Sequence, residues 1–192
     1  MLPSRLLRVV VAALAVAVVA CGDPTRPTAT FTNVRSAYTL YALTGTPANV
    51  PNALLFLTGV TRATSEFNFD VAFDIDASGK TVIYPVRTVG SGLAGTLKRV
   101  GLQVLNTSFE SVREVPNTGY DTLKVQTVSP GTVLAVEMRD GTACFSTFNS
   151  QLIYAKMIVD SVSSATRRIY LRTVVDPNCG YRSVVPDSVP TH

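Results

Sequence analysis

The sequence predicts an all-β protein, because short runs of alternating apolar and polar residues recur along the chain with turn residues between them. The clearest run is 67–75, where apolar side chains occupy the odd positions. No stretch of 12 residues keeps a helical period free of β-branched residues. We therefore expect a β-sandwich, immunoglobulin-like or of a related kind, with a closed β-barrel as the second choice.

Three pairs of neighbouring runs are predicted to form hairpins. The first pairs 67–75 with 80–86 across a polar Asp-Ala-Ser-Gly turn. The second pairs 132–138 with 142–148 across Arg-Asp-Gly, and the third pairs 152–162 with 168–175. Further strands are expected at 37–43, 53–58, 97–105, 109–115 and 123–128.

The start of the chain is typical of an export signal. Arg5 and Arg8 precede an apolar run of 12 residues, and Val-Val-Ala-Cys ends that segment at Cys21. A membrane-spanning helix needs about 20 apolar residues, so this run is too short to span a bilayer. Val-Val-Ala-Cys resembles the lipobox of bacterial lipoprotein signal peptides. The resemblance implies that residues 1–20 are removed and that Cys21 receives a diacylglycerol, which would anchor the protein to a membrane through its N-terminal lipid.

The residues after Cys21 bear on the membrane that such a lipoprotein reaches. In enterobacterial lipoproteins an aspartate directly after the cysteine favours inner-membrane retention. Here Gly22 holds that place and Asp23 follows. The resemblance therefore implies a cell-envelope protein anchored to the outer membrane, on its periplasmic or surface face.

The chain is expected to form one domain. Residues 21–33 contain two prolines and no apolar periodicity, so we interpret them as a lipidated tether. The β-sandwich is assigned to 34–185 and a flexible tail to 186–192. Loss of residues 1–20 from the 192 would leave 172 residues, which is comfortable for one domain and short for two.

The charge and cysteine content further narrow the class of protein to which this chain can belong. The mature chain would carry 15 basic and 13 acidic residues, because both leader arginines are lost from the 17 basic residues. The basic residues are not clustered as they are in proteins that bind nucleic acids, so no nucleic-acid partner is expected. Cys144 and Cys179 would be the two remaining thiols, and we predict that they form a disulfide. They lack the Cys-x-x-Cys spacing of a redox or metal pair.

The sequence predicts no catalytic residues. The single histidine is His192, at the chain end, where it cannot be held by packing as a triad or zinc site requires. Residues 90–95 match Gly-x-Gly-x-x-Gly, but a strand-like run follows where dinucleotide binding needs a helix, so no nicotinamide cofactor is expected.

One acidic segment is a candidate cation site. Asp70, Asp74 and Asp76 occupy even positions of a predicted strand and should share its solvent face. Asp74, Asp76 and Ser78 resemble the first half of a calcium loop, and Ca²⁺ is the cation that they would hold. The glutamate that completes such a loop is replaced by Pro85. An acidic solvent face that ends in a polar turn is the favoured interpretation, and a hydrolytic carboxylate pair is the weakest.

These observations lead to one functional hypothesis and two alternatives. The favoured hypothesis is a lipid-anchored envelope protein that acts as a non-catalytic binding or structural module, with an envelope protein as its partner and no cofactor. The first alternative is an envelope lipoprotein that binds a glycan, a small molecule or Ca²⁺. The second is a carboxylate-based hydrolase.

Overall fold

The computed structural model describes residues 28–64, 68–89, 98–139, 144 and 152–191. Four predicted features lie outside these residues. They are the export signal with the lipidation site Cys21, the glycine pattern at 90–95, the strand at 142–148 apart from Cys144, and the terminal His192.

The described residues form two antiparallel five-stranded sheets, which confirms the all-β class. The strands of sheet A are β1 (Val34–Tyr41), β6 (Arg99–Leu105), β8 (Val133–Arg139), β9 (Ile153–Ser163) and β10 (Arg168–Asp176). Those of sheet B are β2 (Ala53–Leu55), β3 (Gly59–Thr61), β4 (Val71–Ile75), β5 (Thr81–Pro85) and β7 (Gln126–Thr127). The strand order is β1-β10-β9-β8-β6 in sheet A and β3-β2-β4-β5-β7 in sheet B. The two sheets form a sandwich, and the strands do not close into the barrel that was the second choice.

The main core of the molecule is built from both sheets. Alternation places every second side chain of a strand on the same face, so the apolar positions of each run are buried together. Burial of such a side chain contributes about 1.5–3 kcal/mol, which makes this core the main source of stability. Its largest fully buried members are Leu40, Leu54, Phe69, Phe73, Ile83, Leu102, Leu134, Met157, Ile169 and Leu171.

A second apolar cluster covers the outer face of sheet A. The strands contribute four buried side chains, and the segments 106–125 and 177–191 cover them. The buried members of the cluster are Phe109, Val112, Val115, Val133, Ala135, Tyr154, Val174 and Val184. The described residues therefore form three layers: sheet B, sheet A and a layer of irregular chain.

The outer layer contradicts one predicted strand. The segment 109–115 begins with a 3₁₀ turn, Phe109–Ser111, and continues as irregular chain. Its buried residues are Phe109, Val112 and Val115, a spacing of three that a strand cannot place on one face. The apolar content of the segment indicated burial correctly, but its local structure follows the surface of sheet A.

The outer layer also approaches sheet A closely at β6. A Cβ atom added to Gly101 would lie 2.6 Å from the Cβ of Tyr120, a distance that real Cβ atoms do not show. The absence of a side chain at Gly101 therefore allows the layer to pack on the strand. Beside it, the amides of Leu102 and Asp121 donate to each other's carbonyl groups at 3.0 and 3.1 Å.

Two of the three predicted hairpins are confirmed. β4 and β5 pair across 76–80, and β9 and β10 pair across 164–167. The second strand of the other predicted hairpin, 142–148, lies outside the described residues apart from Cys144, and β8 pairs with β6 and β9. The predicted strand 123–128 is reduced to β7.

The prediction that one face of β4 is exposed to solvent is also wrong. All five residues of the strand are buried, including Ala72 at 0% exposure and Asp74 at 6%. Alternation predicted the strand itself correctly. It could not show that the polar side chains would lie against other parts of the chain.

Within the described part of the chain, we find no helix with the length and apolar character needed to span a membrane.

The predicted disulfide is present between Cys144 and Cys179, whose Cα atoms are 5.7 Å apart. It closes a loop with a sequence separation of 35 residues and attaches the segment after β10 to the segment after β8. Cross-linking of this kind stabilises a protein mainly because it reduces the freedom of the unfolded chain.

Removal of the disulfide should lower the free energy of unfolding by about 3 to 4 kcal/mol, the value that loop-closure entropy gives for a loop of this size. The measurement is urea unfolding of the Cys144→Ala/Cys179→Ala double variant beside the parent chain. Dithiothreitol should shift the parent midpoint towards that of the variant and leave the variant unchanged. Equal parent midpoints with and without reductant would contradict the prediction.

Candidate functional site

The predicted cation ligand Asp74 is buried and already bonded to protein donors. Its carboxylate accepts hydrogen bonds from the amide and hydroxyl of Thr44 at 3.0–3.2 Å and from the amide of Ile75 at 2.8 Å. The guanidinium of Arg167 lies 3.3 Å away and completes an ion pair. Asp74 thus lies among donors that neutralise and orient it.

Arg167 joins the two sheets at this point. It lies in the turn between β9 and β10 of sheet A, and its guanidinium donates to the carbonyls of Thr44 and Ile75, both at 2.8 Å. Its backbone φ of 49° is in the left-handed region, which costs a non-glycine residue about 1 kcal/mol. The hydrogen bonds of the side chain offset that cost, so the arrangement is a structural tie between sheet A and β4.

The other two carboxylates of the segment have separate partners. Asp70 is buried, accepts the amide of Phe56 at 2.7 Å and pairs with the Lys98 ammonium at 2.9 Å. Asp76 is partly exposed at the start of the β4–β5 turn. Its carboxylate accepts the amide and hydroxyl of Ser78 and the amide of Lys80 at 2.7–2.9 Å. The Ser78 hydroxyl is the main cause that lowers the pKa of Asp76.

The acidic segment is therefore divided among three local roles. Asp70 and Asp74 form buried ion pairs, while Asp76 and Ser78 organise a turn. In the described residues, no three side chains of the types His, Cys, Asp or Glu come together as a metal-binding group. Ca²⁺ binding at Asp74, Asp76 and Ser78 stays a prediction.

A buried lysine is the most unusual charged group in the structure. Lys156, on β9, is 1% exposed, and its ammonium donates to the carbonyls of Phe109 at 2.9 Å and Val112 at 2.7 Å. It also lies 4.6 Å from the centre of the Phe109 ring, which Arg172 approaches at 5.3 Å. Burial lowers the pKa of Lys156.

The Lys156 contacts explain how the outer layer is held to sheet A. Carbonyl groups of an irregular segment need donors when they are buried, and the lysine supplies two. The sequence carried a signal for this residue, because Lys156 interrupts the otherwise apolar run 152–159. Sequence analysis did not identify it as a buried tie, since a lone charge in a strand is usually exposed.

The point where the chain enters the domain is fixed by an asparagine next to the disulfide. The Asn178 side chain accepts the amides of Thr30 and Phe31 at 2.9 and 3.0 Å and donates to the Phe31 carbonyl at 2.8 Å. The amide of Ala29 donates to the Tyr181 hydroxyl at 3.3 Å. Residues 29–31, which sequence analysis assigned to the tether, are therefore bound to the folded domain.

A second asparagine fixes the C-terminal segment at the same end. Asn33 is 1% exposed, and its side-chain amide donates to the carbonyls of Ser183 and Val185 at 2.8 and 2.9 Å. Its backbone exchanges hydrogen bonds with Ser188 and Asp187 at 2.9 and 3.1 Å. Residues 187–188, which sequence analysis assigned to a flexible tail, therefore hydrogen-bond to the folded domain.

The surface of the described chain includes two polar hollows of similar size. One, of about 350 Å³, lies at this chain-entry end, and Arg113, Ser183 and Ser188 are among its lining residues. The other, of about 360 Å³, lies beside Asn52 and Arg62. Both are open to solvent and carry polar side chains, which is the character of a surface groove rather than an enclosed apolar pocket.

The fold and contacts define a class: a disulfide-bonded β-sandwich whose buried charges hold its layers together. No family model, curated protein or solved structure matches this chain. The functional argument therefore depends on the chain's own residues.

Replacement of Lys156 by methionine should lower the free energy of unfolding by about 1–3 kcal/mol, because two buried carbonyls lose their donor. Urea unfolding of Lys156→Met measures the loss, and Lys124→Met, at an exposed lysine, is the control. A variant as stable as the parent would show that the ammonium does not hold the outer layer.

The same pair of proteins gives a pH test. Burial lowers the pKa of Lys156 in the folded state, so unfolding takes up a proton at pH values between the folded pKa and the ordinary value of 10.5. The parent should therefore gain stability relative to Lys156→Met as the pH rises from neutral towards 10.5. A constant difference across that range would contradict the lowered pKa.

Asp74→Asn should lower the free energy of unfolding by about 2–3 kcal/mol, because it removes the charge that pairs with Arg167 and replaces one acceptor oxygen by a donor. The matched control is Asp76→Asn, where the carboxylate is exposed, and its effect should be smaller. Thermal and urea unfolding of both variants provide the comparison. A larger effect at Asp76 would mean that the buried tie is not the stabilising element.

Proposed function

We propose that this protein is an exported, lipid-anchored protein of the bacterial cell envelope and that its β-sandwich acts as a binding or structural module rather than as an enzyme. The observation that supports the proposal is Val-Val-Ala-Cys at the end of a short apolar run, with Cys21 as the lipidated residue. The signal-peptide and anchor assignments rest on that segment alone.

The disulfide supports export independently of the lipobox-like segment. Disulfides form and persist in oxidising compartments such as the bacterial periplasm and are rare in the cytosol. Cys144 and Cys179 are the two cysteines that would remain after lipidation of Cys21, and they are bonded to each other. An exported location accounts for all three cysteines of the chain.

The contacts that the buried charged side chains make within the protein support a non-catalytic role. Catalytic groups keep hydrogen-bonding capacity free for a substrate. Asp70, Asp74 and Lys156 instead each contact two or more groups of the protein itself. Their contacts fit the stabilisation of layers, which is what a binding or structural module requires of its scaffold.

Ligand binding is the second candidate function, and the hollow of about 350 Å³ favours it. Its Arg113 side chain and serine hydroxyls would suit a small polar ligand. A ligand that binds the native state raises the melting temperature by mass action, so a melting screen with small anions, sugars and Ca²⁺ tests the idea. A Ca²⁺-dependent shift that Asp76→Asn abolishes would confirm the cation site predicted at Asp74, Asp76 and Ser78.

Lipidation predicts a defined mass on the mature chain. The parent, expressed with its own leader in a bacterial host, should yield an N-terminal peptide that begins at Cys21 and carries a diacylglycerol. Cys21→Ser should abolish that mass and release the protein from the membrane fraction, while Cys144→Ser serves as the cysteine control and should keep it. Intact-protein and peptide mass spectrometry measure both. An unmodified parent N-terminus would overturn the anchor.

The partner is tested by crosslinking in the native cells. A reproducible envelope protein captured with the parent, and lost when the anchor is removed, would support an assembly role. Capture of no partner from cells with confirmed expression would contradict that role and favour the ligand-binding alternative.

A further inference from the structure

Exposed apolar side chains are gathered where the chain enters the domain. Phe31 is 62% exposed, Val34 is 51% exposed and Val189 is 42% exposed. Phe31 and Val34 flank Asn33, and Val189 follows Ser188, whose carbonyl accepts the Asn33 amide at 2.9 Å. The three side chains therefore belong to two chain segments that are hydrogen-bonded to each other through Asn33, and we call them the entry patch.

The backbone beneath the entry patch is firmly held. The side chain of Asn178 bonds on both sides of Phe31, and the side chain of Asn33 bonds to the C-terminal segment. Cys179, next to Asn178, ties that segment to Cys144. The exposed side chains thus project from an ordered surface, so their exposure is a property of the folded domain.

The length of chain before the patch limits its distance from any lipid on Cys21. Eight residue steps separate Cys21 from Ala29, the first residue with a hydrogen bond to the domain. Fully extended, they span at most about 28 Å. A folded domain of this size is about 39 Å across, so the tether is shorter than the domain that it holds.

We propose that the entry patch lies against the lipid bilayer and that Phe31, Val34 and Val189 contact the boundary between headgroups and acyl chains. The proposal rests on the lipid anchor of the proposed function. Attachment within a few tens of ångströms gives the patch a high effective concentration at the membrane, so a small apolar surface is enough to orient the domain. The opposite edge of sheet A, at β6, then faces away from the membrane and is presented to partners.

The chain offers a matched control position for the test. Leu123 is 62% exposed, the same as Phe31, but it lies beside β6, where Asp121 pairs with Leu102. β1 and β6 are the two edges of sheet A, four strand spacings or about 19 Å apart. A label at residue 123 therefore shows how strongly an exposed position is quenched when it does not contact the bilayer.

The experiment places a fluorescent label at Phe31→Cys or Leu123→Cys in the lipidated protein. The label is read in phosphatidylcholine–phosphatidylglycerol vesicles that contain a lipid with a spin-labelled acyl chain. The label at 31 should be quenched several-fold more strongly than the label at 123. When the label is placed at Val189→Cys instead, the additional change Val34→Ser should reduce the quenching of that label several-fold. The control change Val104→Ser should not reduce it. Equal quenching at 31 and 123 would overturn the proposal.

A second arm separates this inference from the lipid anchor itself. The chain from residue 22, with an N-terminal hexahistidine segment, is held on vesicles that contain a nickel-chelating lipid, so that attachment no longer depends on Cys21. Preferential quenching at 31 in this arm supports the entry patch even if the native chain carries no lipid. No preference overturns it even if Cys21 is lipidated. Self-association through β1 that protects the label at 31 from quenching would likewise overturn it.

Discussion

Both faces of sheet A are buried, and the arrangement of the rest of the chain depends on covering them. Sheet B covers one face through the main core, as in an ordinary sandwich. The other face carries Val133, Ala135, Tyr154 and Val174, which need a second cover. No further sheet is available in the described chain, so two irregular segments supply it. The disulfide, the close approach at Gly101 and the buried Lys156 hold those segments in place.

Irregular chain can cover a sheet only if its backbone groups find partners, and buried charges meet that need here. Lys156 donates to two carbonyls of the outer layer, and Arg167 donates to two carbonyls near β4. A buried ion pair adds little net stability compared with apolar packing, but removal of one member is costly. These residues therefore fix where segments lie more than they increase stability.

The two ends of the described chain meet at one side of the domain, which gives the proposed anchor a structural context. Asn33 and Asn178 bind the incoming chain to the C-terminal segment, and the disulfide secures that segment. A force or orientation imposed at the N-terminus would thus be transmitted directly to the sandwich. This is the mechanical requirement of a module that is held at a surface, whatever it binds.

The sequence by itself determined the all-β class, most strands, two of the hairpins and the Cys144–Cys179 pair, because these depend on local alternation, turn residues and cysteine number. The tertiary structure alone decided that Asp74 is buried, that 109–115 is not a strand and that Lys156 ties the outer layer to sheet A. Each of these outcomes depends on which distant segment packs against the residues concerned. The alternation of a strand shows which side chains share a face, but it does not show what covers that face.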